Sequence, residues 1–191
     1  MISLRSKITR KILDFFFLNP RVKKYTNELA RLLELDPKNL DRKLKELEKG
    51  GLLKSEFLGR QRYFYLNARF PLLKEYKKII LKTLGFEKDL AAALKKLPQL
   101  KEAYLFGSYA KDKMDASSDI DILLVGSHSP LAAQKVILTF QRKIGREINI
   151  VDMTKKEFAA KKRSQDNFLK NALSSAIKLL WLFLNQIISK N

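Results

Sequence analysis

Apolar residues recur at helical spacing from the start of the chain. Ile8, Ile12, Phe15 and Phe16 form one stripe over residues 7–18, and Pro20 ends the run. A short stripe over 26–34, "TNELARLLE", turns Leu29, Leu32 and Leu33 inward, with Thr26 or Asn27 as the expected cap. Asp36-Pro37 restarts a helix with an aspartate cap and a proline at the first helical position, where its missing N–H costs nothing. In that helix Leu40, Leu44 and Leu47 face one way, and Gly50-Gly51 closes it. Two strand-like runs, "LLKSEFL" and "RYFYLN", follow on either side of Gly59-Arg60-Gln61, which predicts a hairpin. From Pro71 a further helical stripe (Leu72, Leu73, Tyr76, Ile79, Ile80, Leu84) reads as a connector. Gly85 interrupts it, and a second helical run ends at Pro98.

Beyond residue 100 the period changes. "EAYLF", "SDIDILLVG" and "REINIVDM" read as strands, and "AIKLLWLFL" as a last strand. "SPLAAQKVILTFQRKIG" is a helix capped by Ser129 with Pro130 at its first position, and Thr154 with Glu157 forms a capping box opening another. The expected fold class is α+β. Three helices and a hairpin over residues 1–67 are joined by a helical connector, 68–86, to a small α/β domain with a mixed sheet over 87–191.

The 191 residues accommodate two small domains, and the absence of cysteine excludes a disulfide framework and thiolate metal sites, which fits a cytoplasmic protein. The longest apolar run, "LLWLFL" at 179–184, is far shorter than the ~20 residues of a membrane span, so no membrane is expected. Formal net charge is +19, and it leans toward the N-terminal part: residues 1–85 hold 21 Lys and Arg against 9 acids, the remainder 18 against 11. Such an excess points to a polyanion partner; a merely lysine-rich surface is the alternative.

The helix over 37–49 leaves Lys38, Asn39, Arg42, Lys43 and Glu46 facing outward, and Arg60 and Arg62 sit at the hairpin. Such donors suit base edges and phosphates. Residues 7–67, with "YTNELARLLELDPKNLDRKLKELEKGGLLKSEFLGRQRYFYLN" at their centre, resemble winged helix-turn-helix regulators of the ArsR/MarR type. The resemblance implies DNA binding through Lys38, Asn39, Arg42, Lys43, Arg60 and Arg62, and a homodimer reading two half-sites. The alternative is a winged helix used only for protein contacts.

The densest chemistry lies in "YLFGSYAKDKMDASSDIDILLV", residues 104–125. In a strand, Asp119 and Asp121 point to one face while Ile120 points to the other. Two carboxylates so close are costly unless a cation joins them, and magnesium suits a hard oxygen site that serves phosphate oxygens. Gly107 lets a triphosphate approach the backbone, Ser108 offers a hydroxyl and an N–H, and Lys111 adds a cation. This Gly-Ser turn followed by Ser118-Asp119-Ile120-Asp121 between two strands resembles the DNA polymerase β-like nucleotidyltransferase superfamily, and its minimal nucleotidyltransferase branch in particular. The resemblance covers roughly residues 87–183. It implies transfer of a nucleoside monophosphate from a nucleoside triphosphate, ATP being the expected one, to a protein or RNA acceptor. Asp119 and Asp121 would hold two magnesium ions, and Gly107, Ser108, Lys111 and Ser118 would hold the nucleotide. Relatives often serve as antitoxins, which adds a toxin protein to the expected partners.

Two positions depart from the family pattern. A third carboxylate is expected on the next strand, where "INIV" places Asn149; an amide ligates weakly and cannot act as a base. Glu147, of the same strand parity, is the candidate stand-in, and Asp152, of opposite parity, is expected to cap near Thr154. Asp112 stands where many relatives carry glycine. Hence the rival reading is a transcription regulator whose degenerate domain binds nucleotide without efficient catalysis. A third reading is an antitoxin acting by protein contact alone. His128 is expected at the surface, Trp181 in the core, and "KKEFAAKKR" at 155–163 as a solvated face or a contact for RNA or an acidic protein.

Overall fold

The computed structural model of the chain describes residues 6–115 and 118–179. Its contacts divide the chain into two units, Met1–Phe86 with Arg142–Gly145, and Glu87–Gln141 with Arg146–Asn191.

In the first unit α1 (Lys7–Leu18) starts at Ser6, whose hydroxyl accepts from the Thr9 N–H; Ile12, Phe15 and Phe16 of its apolar stripe are buried and Ile8 is half-buried. A two-residue strand, β1 (Lys24–Tyr25), precedes α2 (Thr26–Leu33). The cap expected at Thr26 or Asn27 is absent: the helix already begins at Thr26 and no side chain caps it, because the chain enters from an extended pair with a neighbouring strand. In α3 (Pro37–Lys49), the Asp36 carboxylate accepts from the Asn39 N–H at 2.9 Å, and Leu40, Leu44 and Leu47 are buried. The hairpin β2 (Leu53–Leu58) and β3 (Gln61–Leu66) is antiparallel, and β1 joins it to give the order β1-β3-β2. The connector consists of α4 (Leu73–Ile79) and a π-helical turn, Ile80–Leu84. It ends at Gly85, where a Cβ would stand 1.9 Å from Asp14 Oδ1; that buried carboxylate accepts from the Phe86 N–H at 3.1 Å.

In the second unit α5 (Phe86–Leu94) leads to β4 (Leu100–Phe106), the four-residue α6 (Gly107–Ala110) and β5 (Ile120–Gly126). Then come α7 (Pro130–Ile144), β6 (Ile148–Met153), α8 (Lys155–Arg163), α9 (Asn167–Leu173) and β7 (Ile177–Lys178). The sheet order is β6-β5-β4-β7, with β5 and β6 parallel and the other pairs antiparallel. This is the mixed sheet the alternation predicts. Of the last expected strand, Ile177–Lys178 is β7; the segment from 180 on, with Trp181, lies outside the described residues.

Strand parity assigns each side chain to a face. Phe106, Leu123, Val125 and Met153 form one buried cluster with Phe158 of α8 and Leu169 and Ala172 of α9, so those two helices cover that face. The other face (Ala103, Leu105, Ile120, Ile122, Leu124, Ile148) is equally buried. Among the described residues no helix is long and apolar enough to cross a membrane.

Candidate functional site

The face covered by α8 and α9 runs beyond the helices to the ends of three strands. There Phe106, the last residue of β4, pairs with Asp121 on β5, and Asp121 pairs with Asn149 on β6. Paired residues point to the same side of a sheet, so all three side chains share the α8/α9 face. Asp119, two residues before Asp121, joins them. The Asn149 side-chain amide donates to Asp119 Oδ2 at 3.3 Å and to Asp121 Oδ1 at 3.4 Å. One neutral amide thus answers two carboxylates, with its N–H groups where a cation would otherwise lie.

Gly107 closes the site from the β4 side. Its φ is +68°, and a Cβ there would lie 2.2 Å from Asp121 Oδ2, so both the backbone conformation and the space require glycine. The short α6 then carries Ser108, half-buried, whose carbonyl accepts from the Lys113 N–H at 2.9 Å. Tyr109 next to it is buried, and its hydroxyl donates to Glu87 Oε1 at 2.8 Å, tying the turn to α5. Lys111 is exposed at the end of the turn. Asp112 has φ +53°, the left-handed region that glycine adopts without strain.

Ser118 does not present a free hydroxyl. Its Oγ donates to Asp115 Oδ1 at 2.8 Å and accepts from the Asp115 N–H at 3.0 Å, so the residue next to Asp119 is tied to Asp115. Glu147 is exposed and sits one residue before β6, where its carbonyl accepts from the Ile120 N–H at 3.0 Å. Among the described residues no three His, Asp or Glu side chains gather as a metal-binding group, so the oxygen set consists of two carboxylates and an amide. All of these are hard donors of the kind magnesium takes, and an amide rotated about its last bond would present oxygen in place of nitrogen.

Arg146 is the site residue that sequence reasoning missed. It is buried, and its guanidinium donates to the backbone carbonyls of Asp115, at 3.1 Å, and Ser118. Burial lowers its pKa from the ordinary arginine value, while Asp119 and Asp115 act in the opposite sense. The side chain is a fixed buried cation behind the loop that delivers Asp119. Only its charge next to a strand signalled it in the sequence.

His128 corrects its surface expectation. It is buried, and its Nε2 pairs with Asp152 Oδ1 at 2.8 Å; Asp152 is therefore engaged with His128. The cap of α8 is supplied by Thr154 and Glu157, as their spacing predicts.

In the first unit Lys38, Asn39 and Arg42 are exposed on α3. Lys43 is paired with Glu46, three residues on, and Lys45 with Asp41 at 2.7 Å. Arg60 is exposed in the turn of the hairpin. Arg62 is turned back instead: it donates to Glu48 Oε2 at 2.6 Å and to Ser55 Oγ at 2.9 Å, which fastens β2 and β3 to α3.

Residues 88–180 match the family model described as "Polymerase beta, Nucleotidyltransferase". No curated protein matches the chain. Among solved structures, a mutant of the toxin-antitoxin MntA-HpeT is similar at 21% identity over 54% of this chain and 84% of that one, with a TM-score of 0.38. A toxin-antitoxin with AMP-PNP is similar at 23% identity over 54% and 84%, with a TM-score of 0.37. A complex of tri-AMPylated Shewanella oneidensis HEPN toxin with MNT antitoxin is similar at 19% identity over 54% and 82%, with a TM-score of 0.33. At these scores the likenesses do not decide the topology.

Proposed function

We propose, from the match of residues 88–180 to the polymerase β nucleotidyltransferase family model, that the chain transfers a nucleoside monophosphate from a nucleoside triphosphate, ATP being the expected one, to a hydroxyl of a protein or RNA acceptor. The observation that carries this reading is the convergence of Asp119 and Asp121 beneath the Gly107 turn, at distances where a single Asn149 amide reaches both. Asp119 and Asp121 are the residues that would hold magnesium, which would neutralise the phosphate oxygens. Gly107 gives the triphosphate access to the backbone, and Ser108 and Lys111 supply a hydroxyl and a cation beside it. Ser118 and Arg146 hold the loop that aims Asp119. Asn149 orients the two carboxylates without removing a proton, since an amide is no base. Glu147 is then the nearest candidate by sequence to receive the acceptor's proton.

The test is incubation of the full chain with labelled triphosphates, magnesium and acceptors, a toxin protein included. Label transfer abolished by Asp119→Asn and Asp121→Asn supports the reading. Tight nucleotide binding with no transfer to any acceptor supports the rival, a regulator that holds nucleotide as a ligand. The amide at position 149, in place of a third acid, favours that rival.

For the first unit we propose a winged helix that binds DNA, as a homodimer on two half-sites. The order of three helices and a three-stranded sheet supports it, as does the exposure of Lys38 and Arg42 on α3 and of Arg60 at the hairpin turn. Lys43 and Arg62, both already paired with glutamates, contribute less to it. Binding that weakens steeply with salt, and a salt slope that falls by about one in Arg42→Ala, are the expected results. Affinity indifferent to salt would refute it.

A further inference from the structure

The carboxylate face of the sheet ends in an aromatic ring that the nucleotidyl-transfer reading leaves unused. Phe106, next to the Gly107 turn and paired with Asp121, is 9% exposed. Phe158 on the same face is 8% exposed. Phe168 is different: it is 40% exposed, although its ring centroid lies only 5.8 Å from that of Phe106, at an interplanar angle of 90°.

The position of Phe168 follows from its helix. The Asp166 carboxylate caps α9 by accepting from the Leu169 N–H at 3.0 Å, which places Phe168 in the first turn. Leu169 and Ala172 of the same helix are buried in the cluster on the carboxylate face. Since β4 runs toward the site and Phe106 is its last residue, contact with Phe106 puts the start of α9 at the site end of the sheet. Side chains of paired antiparallel residues lie about 5 Å apart. Phe168 is therefore one ring beyond a neighbour of Asp121, on the same face, with part of its surface open to solvent.

We propose that Phe168 is the stacking platform for the base of the nucleoside triphosphate whose phosphates lie at Gly107 and Asp121. The proposal rests on the nucleotide-binding reading above and adds a base-recognition residue to it. A phosphate-first site would hold a triphosphate with little regard to what it carries; an exposed ring one aromatic away gives the base a surface to lie on. Stacking accepts every base, and a purine offers the larger face. ATP and GTP are accordingly favoured over CTP and UTP.

The experiment compares magnesium-ATP with magnesium-tripolyphosphate, which has the phosphates and no base, by calorimetry on the full chain. Phe168→Ala is expected to weaken ATP about tenfold or more, the loss that one base–aromatic stack brings, and to leave tripolyphosphate unchanged. Phe168→Trp restores ATP binding. Phe168→Leu keeps an apolar contact on Phe106 but not a ring, and weakens ATP as the alanine variant does, so a packing role is separated from a stacking one. Asp121→Asn weakens both ligands. If Phe168→Ala leaves ATP unchanged, or weakens both ligands alike, the proposal is overturned while the nucleotide-binding reading stands. Wild-type protein that binds tripolyphosphate as tightly as ATP overturns it in the same way. Wild-type protein that binds neither overturns both.

Discussion

Replacing Asn149 by aspartate tests the geometry of the site without requiring that its acceptor be known. The amide nitrogen lies 3.3 Å from one carboxylate oxygen and 3.4 Å from another. A carboxylate in its place puts a third negative charge at those separations and removes both hydrogen bonds. Two unit charges so close repel by about 1 kcal/mol even at the dielectric of bulk water, so the two contacts cost at least about 2 kcal/mol, and more where the strand mouth is partly shielded from water. In a domain of this size that lowers the melting temperature by roughly 10 to 20 °C. Magnesium reverses the sign, because three acids bind it better than two: at a hundred times its Kd a bound ion returns about 2.7 kcal/mol. The assay is thermal unfolding of wild type and Asn149→Asp, each in chelator and in millimolar magnesium. The variant should melt lower in chelator and recover with magnesium, and wild type should respond less. Equal melting in chelator, with no response to magnesium in either protein, would refute the convergence of Asp119, Asp121 and residue 149.

Gly107→Ala should keep the fold but weaken triphosphate binding, since its φ of +68° costs a side chain about 1–2 kcal/mol and the new methyl would meet Asp121 Oδ2; calorimetry against unfolding separates the two effects. Arg146→Met should destabilise the domain by about 2–4 kcal/mol in urea unfolding, through loss of charged hydrogen bonds to two loop carbonyls; a variant as stable as wild type would show that the loop holds itself. Burial raises the pKa of Glu48, but hydrogen bonds from Ser55 and Arg62 outweigh it and leave the carboxyl below its ordinary value. A depressed pKa means stability present above the unfolded value and lost as pH falls through the folded one. Glu48→Gln should therefore lower stability at neutral pH, and the gap from wild type should close in acid; a gap independent of pH would assign the effect to packing.

The sequence was legible where one local rule decided the outcome. The caps at Asp36 and Thr154, the buried leucines of α3 and the alternation of Asp119 and Asp121 all follow from spacing within a few residues. It was illegible where a partner distant in the chain decided. Thr26 lost its capping role because Tyr25 pairs with Tyr63, and no local pattern in a two-residue strand announces that pairing. Arg62 reads as a hairpin donor until Glu48, fourteen residues away, is seen to hold it. His128 reads as a surface loop residue because Asp152 meets it only across β5 and β6. The contacts of Arg146 and Phe168 were missed for the same reason, since each is made with residues more than twenty positions away.

The pairing of β5 with β6 has a consequence for how the sheet finds its alignment. Parallel neighbours have no tight hairpin to count residues for them, and a slip by one position turns every side chain to the opposite face. Here each end of the pair carries its own clasp. Asn149 reaches Asp119 and Asp121 at one end, and Asp152 takes His128 at the other. A slip by one would set Asp121 against Ile148 or Ile150 rather than Asn149 and would turn Asp152 away from the histidine. Polar contacts at both ends therefore act as a gauge, admitting one alignment of the two strands and rejecting its nearest competitors.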